Sequence, residues 1–127
     1  LAMTAHVIFT AFDRKAPATT SKTVIDQVIR THMGFDGLLM CDDLSMKALS
    51  GSFAERRDAV LAAGCDVLLH CNGLMEEMRP IAEGCPAIAP EARRRLDAAL
   101  AGLKRPVAAF DRGQAEARLA ELLAIKG

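Results

Sequence analysis

The sequence predicts an α/β fold in which parallel strands alternate with crossover helices, and three observations carry that reading. Strand-like runs recur at residues 3–9 (MTAHVIF), 37–41 (GLLMC) and 66–71 (DVLLHC). The second and third are almost wholly apolar rather than alternating, as parallel strands covered on both faces are. Segments with helical periodicity and their own start and stop residues follow each strand, so the order is strand, helix, strand, helix, strand, helix. That order belongs to βαβ units.

Each element has a local reason. Residues 3–9 are short, apolar and β-branched. After a loop with Pro17 and a Thr-Thr-Ser cluster, Ser21 is positioned as the N-cap of a helix running to about residue 32. Val24, Ile25, Val28 and Ile29 form its apolar face, and Gly34 stands where a C′ glycine belongs. The apolar run 37–41 stops abruptly at Asp42-Asp43. Ser52 and Glu55 spell a capping box, and the helix they open is expected to reach Ala63 and close at Gly64. A strand over 66–71 and a short helix over 74–83 complete the alternation. Pro90 then opens a helix at its first position, with Ala92, Leu96, Ala99, Leu100 and Leu103 at helical spacing. Lys104-Arg105-Pro106 is expected to break it. Asp111 with Gln114 suggests a second capping box, before a last amphipathic helix over 115–125. The charge cluster at residues 91–95 reads as a solvated helix face.

Composition narrows the function classes. The chain has 127 residues, 51% apolar and 25% charged, with a formal net charge of zero. This suits one domain and gives no electrostatic reason to expect nucleic acid or an anionic membrane as a partner. No apolar run approaches the roughly 20 residues of a membrane span. The start, Leu1-Ala2-Met3-Thr4, has no basic or hydrophobic leader region, so no signal peptide is expected. It already reads as a strand, as if cut from a longer chain. The four cysteines, Cys41, Cys65, Cys71 and Cys85, form no C-x-x-C pair and read as reduced thiols of a cytoplasmic protein. The spacing of Cys65, His70 and Cys71 matches no usual zinc pattern, so no metal is expected there. With no Trp and no Tyr, a sugar site here must rely on polar contacts or on residues from elsewhere.

The chemistry is expected at Asp42 and Asp43. A carboxylate directly after a buried parallel strand lies at the strand's C-terminal end, where α/β barrels and open α/β sheets place their reactive groups. The competing reading is a turn cap. The stretch GFDGLLMCDDLSM, residues 34–46, resembles the nucleophile segment of family 3 glycoside hydrolases, in particular the bacterial β-N-acetylhexosaminidase branch. The upstream MTAHVIF and PAT-x-S segments resemble strand six of that family's barrel and the start of its helix, and AAGCDVLLHC resembles strand eight and its approach.

The resemblance implies the C-terminal portion of a (β/α)8 TIM-type barrel, about strands six to eight, followed by C-terminal helices. Residues 1–127 would then form a single partial barrel domain, with β/α units over 1–85 and helices over 86–127. By position, Asp42 is implied as the nucleophile of a retaining glycosidase, attacking the anomeric carbon through an oxocarbenium-like transition state. Asp43 is implied to orient the turn behind it, and His6 to line the sugar cleft or support it. His32 is expected to face water or a carbonyl at a helix end, and His70 to belong to the core or to support the site. The implied reaction is release of terminal non-reducing N-acetyl-β-glucosamine, in cytoplasmic recycling of muropeptides, and no cofactor or metal is implied. The family's acid/base loop and sugar-binding motif have no counterpart in this sequence.

A barrel of this kind needs eight strands and roughly 250 residues. The chain is therefore expected to belong to a split or cleaved barrel or to self-associate, and to be inactive or nearly so alone. Rival expectations are a family 3 β-glucosidase or β-xylosidase, a non-catalytic α/β assembly module, and a small redox or metal protein.

Overall fold

The computed structural model describes residues 1–104 and 109–124. Two strands, β1 (Ala2–Met3) and β2 (Leu39–Met40), pair in parallel with Ala2 opposite Leu39 and Met3 opposite Met40. The segment after Cys65 runs parallel on the far side of β2. It makes a single bridge, Met40 to Val67, supported by Asp66 N–H donating to Leu39 O (2.8 Å) and Cys41 N–H to Val67 O (3.1 Å). The three expected segments therefore lie parallel with β2 in the middle, but only the first two form strands: the expected strand over 66–71 is reduced to this one bridge. Leu38, Leu39 and Cys41 are buried, which is why the run 37–41 carries no polar residue.

The strands are shorter than the sequence suggests. The run 3–9 leaves its partner after Thr4, whose N–H donates to Met40 O. Beyond it the carbonyls of Ala5 and Val7 accept instead from the loop amides of Thr19 (3.2 Å) and Ala18 (2.9 Å). The ladder ends because a loop takes its acceptors, and Val7, Ile8 and Phe9 are left about half exposed.

The helix after Ser21 forms with Val24 and Ile25 buried, but residues Val24–His32 are wound as a π-helix rather than an α-helix. Met33 N–H reaches back five residues to Val28 O (2.8 Å), and the Thr31 hydroxyl donates to Asp26 O, also five back. Ser21 Oγ accepts from Val24 N–H at 3.1 Å, as the cap reading requires. Gly34 follows with φ +64.

Helix α1 (Phe53–Ala63) opens on the full capping box: Glu55 N–H donates to Ser52 Oγ and Ser52 N–H to Glu55 Oε2. It closes at Gly64, whose φ of +112 is costly for any residue with a side chain. A Cβ there would also come within 3.2 Å of Ile25 Cγ2. Ser52→Ala is expected to cost about 1 kcal/mol of stability, read as a lower urea midpoint at unchanged slope.

Helix α2 (Met75–Glu83) contains Pro80, whose carbonyl accepts from Arg57 Nη1 of α1 at 2.6 Å. Helices α3 (Pro90–Ala101) and α4 (Arg112–Ala124) follow. The core joins Ile25, Leu39, Cys41, Leu44, Leu49, Val60, Ala63, Cys65 and Ile81, so it lies between β2, the π-helix, α1 and α2.

The C-terminal helices differ from expectation in their packing. In α3 only Ala92 is buried, and Leu103, beyond its end, is 80% exposed. No residue of α4 is buried. Asp111 does accept from Gln114 N–H (3.0 Å), which is the capping half of the expected box. Residues 105, 106 and 125 lie outside the described residues. The 91–95 cluster is also not a uniformly solvated face. Arg95 is 15% exposed and reaches Asp66 Oδ1 at 2.9 Å, while Arg30 Nη2 holds Asp66 Oδ2 at 2.7 Å. This largely buried Arg30–Asp66–Arg95 fork ties the π-helix, α3 and the third strand segment together, and Asp66 Oδ2 also accepts from Leu39 N–H.

Candidate active site

Strand β2 delivers Asp42 and Asp43 to its C-terminal end, and the two carboxylates do different things. Asp43 is consumed by the scaffold. Its Oδ1 accepts from Ser45 N–H (2.9 Å) and from Cys71 N–H (3.1 Å), and its Oδ2 accepts from Ser45 Oγ (2.5 Å). Burial pushes its pKa up, but the Ser45 and Cys71 hydrogen bonds outweigh that and hold the carboxyl below the usual aspartate range. The tie between the turn and the third strand segment is thus complete at neutral pH and weakens only as pH falls through that lowered value.

Asp42 is half-buried, and among the described residues its carboxylate takes one hydrogen bond, from Asp43 N–H to Oδ1 (2.8 Å). No cation pairs with it among the described residues. Its other oxygen is unengaged among the described residues, while the backbone behind it is held through Asp43. A carboxylate so arranged can act on a ligand; Asp43, with both oxygens committed, can only hold the turn.

His6 is brought to this turn. Its Nε2 lies 2.9 Å from Asp43 O, and its Nδ1 lies 2.9 Å from Thr19 Oγ1, which in turn is 2.9 Å from Thr4 Oγ1. His32 is exposed in the last turn of the π-helix. The His70 side chain is 7% exposed, bonded through Nε2 to Glu77 Oε2 (3.0 Å) and set edge-on to Phe53. Its Nδ1 is buried without a partner among the described residues.

Sequence reasoning missed two residues that hold the site. Arg56 Nη1 donates to Leu44 O (2.7 Å) and Met46 O (3.2 Å), so α1 grips the turn from below. Its only sequence signal is a place one turn inside the capping box. Thr19 lies in the PAT-x-S segment, but nothing in the spacing announces its bond to His6.

Cys65, His70 and Cys71 do not converge. Cys65 is buried, Cys71 is exposed, and His70 is spent on Glu77. Among the described residues no three His, Cys, Asp or Glu side chains are grouped to hold a metal ion. Burial pushes the Cys41 thiol up to about 11 and the Cys65 thiol up to about 12. Iodoacetamide is therefore expected to label Cys71 and Cys85 in the native chain and Cys41 and Cys65 only after unfolding, as read by peptide mass spectrometry.

Two open apolar grooves flank the strand layer away from Asp42. One, about 760 Å³, lies along β1 and the π-helix and is lined by Met3, Phe9, Phe12, Val28 and Phe35 among others. The other, about 660 Å³, lies along the third strand segment and residues 85–89.

The comparisons agree on one family. The profile described as Glycosyl hydrolase family 3 N terminal domain matches residues 1–102, which reaches through α3. A β-hexosaminidase of Chromobacterium violaceum is 39% identical over 97 residues, covering 75% of this chain and 27% of that protein. One of Tolumonas auensis is 46% identical over 72 residues, covering 55% of this chain and 21% of that protein. The chain thus spans about a quarter of the length of these curated relatives. Among solved structures, a family 3 β-N-acetylglucosaminidase from Paenibacillus superposes with a TM-score of 0.68 at 27% identity, over 88% of this chain and 24% of that one. The β-N-acetylglucosaminidase of Thermotoga maritima gives 0.60 at 29% identity, over 80% and 25%. The chain belongs to glycoside hydrolase family 3 and forms part of that family's N-terminal, TIM-barrel-type domain.

Proposed function

We propose that this chain contributes the nucleophile of a retaining β-N-acetylhexosaminidase, with Asp42 in that role. The observation that carries the proposal is the division of labour at the end of β2, where Asp43 is tied on both oxygens and Asp42, among the described residues, keeps one free. The relatives and neighbours named β-hexosaminidase and β-N-acetylglucosaminidase support the choice of N-acetyl-β-glucosaminides as substrates. Asp42 attacks the anomeric carbon as the leaving group departs, and water then hydrolyses the glycosyl ester with net retention. An acid/base group must protonate the leaving oxygen, and it comes from outside these residues.

In this reading the strand segments of the chain are strands six to eight of the barrel. The apolar grooves on either side of the layer receive the neighbouring βα units, supplied by other polypeptide or by association of copies. Cytoplasmic muropeptide recycling is the physiological setting we infer for the whole protein, with no cofactor and no metal in the reaction. The test is turnover of a chromogenic N-acetyl-β-glucosaminide by this chain, alone and after addition of a polypeptide carrying the preceding βα units of a family 3 barrel. We expect little or no activity alone and activity on reconstitution. A reconstituted protein that cleaves β-glucosides or β-xylosides in preference would overturn the substrate assignment.

A further inference from the structure

We propose that His6 is a positioning residue, which sets the Asp42 carboxylate through the backbone of Asp43 and does not touch the sugar. The proposal rests on the reading of Asp42 as nucleophile. It follows from the direction of three hydrogen bonds. A backbone carbonyl only accepts, so His6 Nε2, 2.9 Å from Asp43 O, carries a proton and donates it. In the neutral ring Nδ1 is then an acceptor, and its partner at 2.9 Å is the Thr19 hydroxyl, which must donate. That leaves the Thr19 oxygen to accept from Thr4 Oγ1, also at 2.9 Å. The polarity runs Thr4 to Thr19 to His6 to Asp43 O.

The base of this relay is rigid. Thr19 is fully buried and Thr4 is 6% exposed. The Thr19 amide donates to Ala5 O and the Thr4 amide to Met40 O, so Thr19 is fixed to the backbone of the first strand segment and Thr4 to that of β2. The imidazole is clamped at both nitrogens and has no N–H or lone pair left for a sugar hydroxyl. What it holds is the residue whose N–H orients the Asp42 carboxylate. With Ser45 and Cys71 fixing the Asp43 side chain and His6 fixing its carbonyl, the Asp42 carboxylate has a backbone that cannot rotate beneath it.

The test is single-turnover cleavage of a nitrophenyl N-acetyl-β-glucosaminide, with protein in excess, in the protein reconstituted to activity. The limiting rate reports attack by Asp42, and the half-saturating protein concentration reports binding and the competent fraction. His6→Leu is expected to lower the limiting rate about 10- to 100-fold with the half-saturating concentration unchanged, as a small misplacement of a reacting group does. Thr19→Val should act in the same direction. His6→Gln, which keeps an N–H within reach of Asp43 O, and Thr19→Ser should recover most of the rate. An undiminished limiting rate with a raised half-saturating concentration overturns the proposal, since sugar contact and loss of folded protein both act that way.

The nucleophile reading is separated by Asp42→Asn: if that variant retains the full limiting rate, Asp42 is not the nucleophile and the catalytic part of this proposal falls with it. The local part is read in this chain alone by ¹⁵N NMR. Nδ1 of His6 should be the unprotonated nitrogen, and His6→Leu should shift the amides of Asp43 and Ser45. Unmoved amides, or a proton on Nδ1 instead of Nε2, overturn it whether or not the protein turns over.

Discussion

Asp42→Asn is expected to lower turnover by roughly a thousandfold or more in the reconstituted protein, while leaving the fold as it is. The size follows from the role: an amide oxygen is too weak a nucleophile to form the glycosyl ester, so the two-step route closes. The specificity of the result follows from the geometry. Among the described residues the carboxylate takes one hydrogen bond, from Asp43 N–H to Oδ1, and the asparagine side-chain oxygen can accept the same bond. Circular dichroism and the urea midpoint should therefore match those of the parent chain. Asp42→Ala with added azide gives an independent check. The anion can enter from the vacated face and displace the leaving group in one step, yielding a glycosyl azide of inverted configuration. Asp42→Asn with undiminished turnover would remove the nucleophile from this strand.

The largest stability effect is expected at Asp66. Asp66→Ala should cost about 3–5 kcal/mol, because it leaves the guanidinium groups of Arg30 and Arg95 in a largely dehydrated place without their counter-charge. Their side chains are each 15% exposed and that of Asp66 is 6%, so solvent screens the fork weakly. The same substitution strips an acceptor from the Leu39 amide in the middle strand. A drop of some 10–20 °C in melting temperature is the expected reading for a chain of this size. Surface pairs give the contrast: Arg112→Ala, which removes an exposed partner of Glu116, should change stability by less than about 0.5 kcal/mol. If the two substitutions cost the same, the fork is not what joins α3 to the strand layer.

The sequence carried the order of elements and the place of the site well, because both rest on local signals. The Ser52–Glu55 box, the Gly34 and Gly64 stops and the buried apolar run 37–41 are each written within a few residues, and each is found as expected. The strand ends were not legible. Whether residues 5–9 pair depends on a loop folding back to take the carbonyls of Ala5 and Val7, a contact between segments with no shared pattern. The π-winding of the second element is hidden for a similar reason, since its apolar face suits either winding to within one residue. Asp66 and Arg95 read as ordinary charged residues at a strand start and on a helix surface, and only the crossing of α3 over the strand makes them a buried pair. At the site, the family resemblance already implied that Asp42 reacts and Asp43 orients the turn, but of the bonds from Ser45 and Cys71 that occupy Asp43, the one from Cys71 joins segments with no shared pattern.

Helix α4 gives the chain an uneven resistance to amide exchange. It has 13 residues and none of them is buried, so nothing but its own hydrogen bonds and the Asp111 cap opposes opening among the described residues. A helix of that length is marginal in water by itself. Its amides should exchange at nearly the rate of a free peptide helix, while those of Leu39 and Cys41 exchange only when the core opens. Leu119, Leu122 and Leu123 lie on one side of α4 and are all exposed, so slowed exchange there on mixing with a candidate partner would report directly that the seam has been covered.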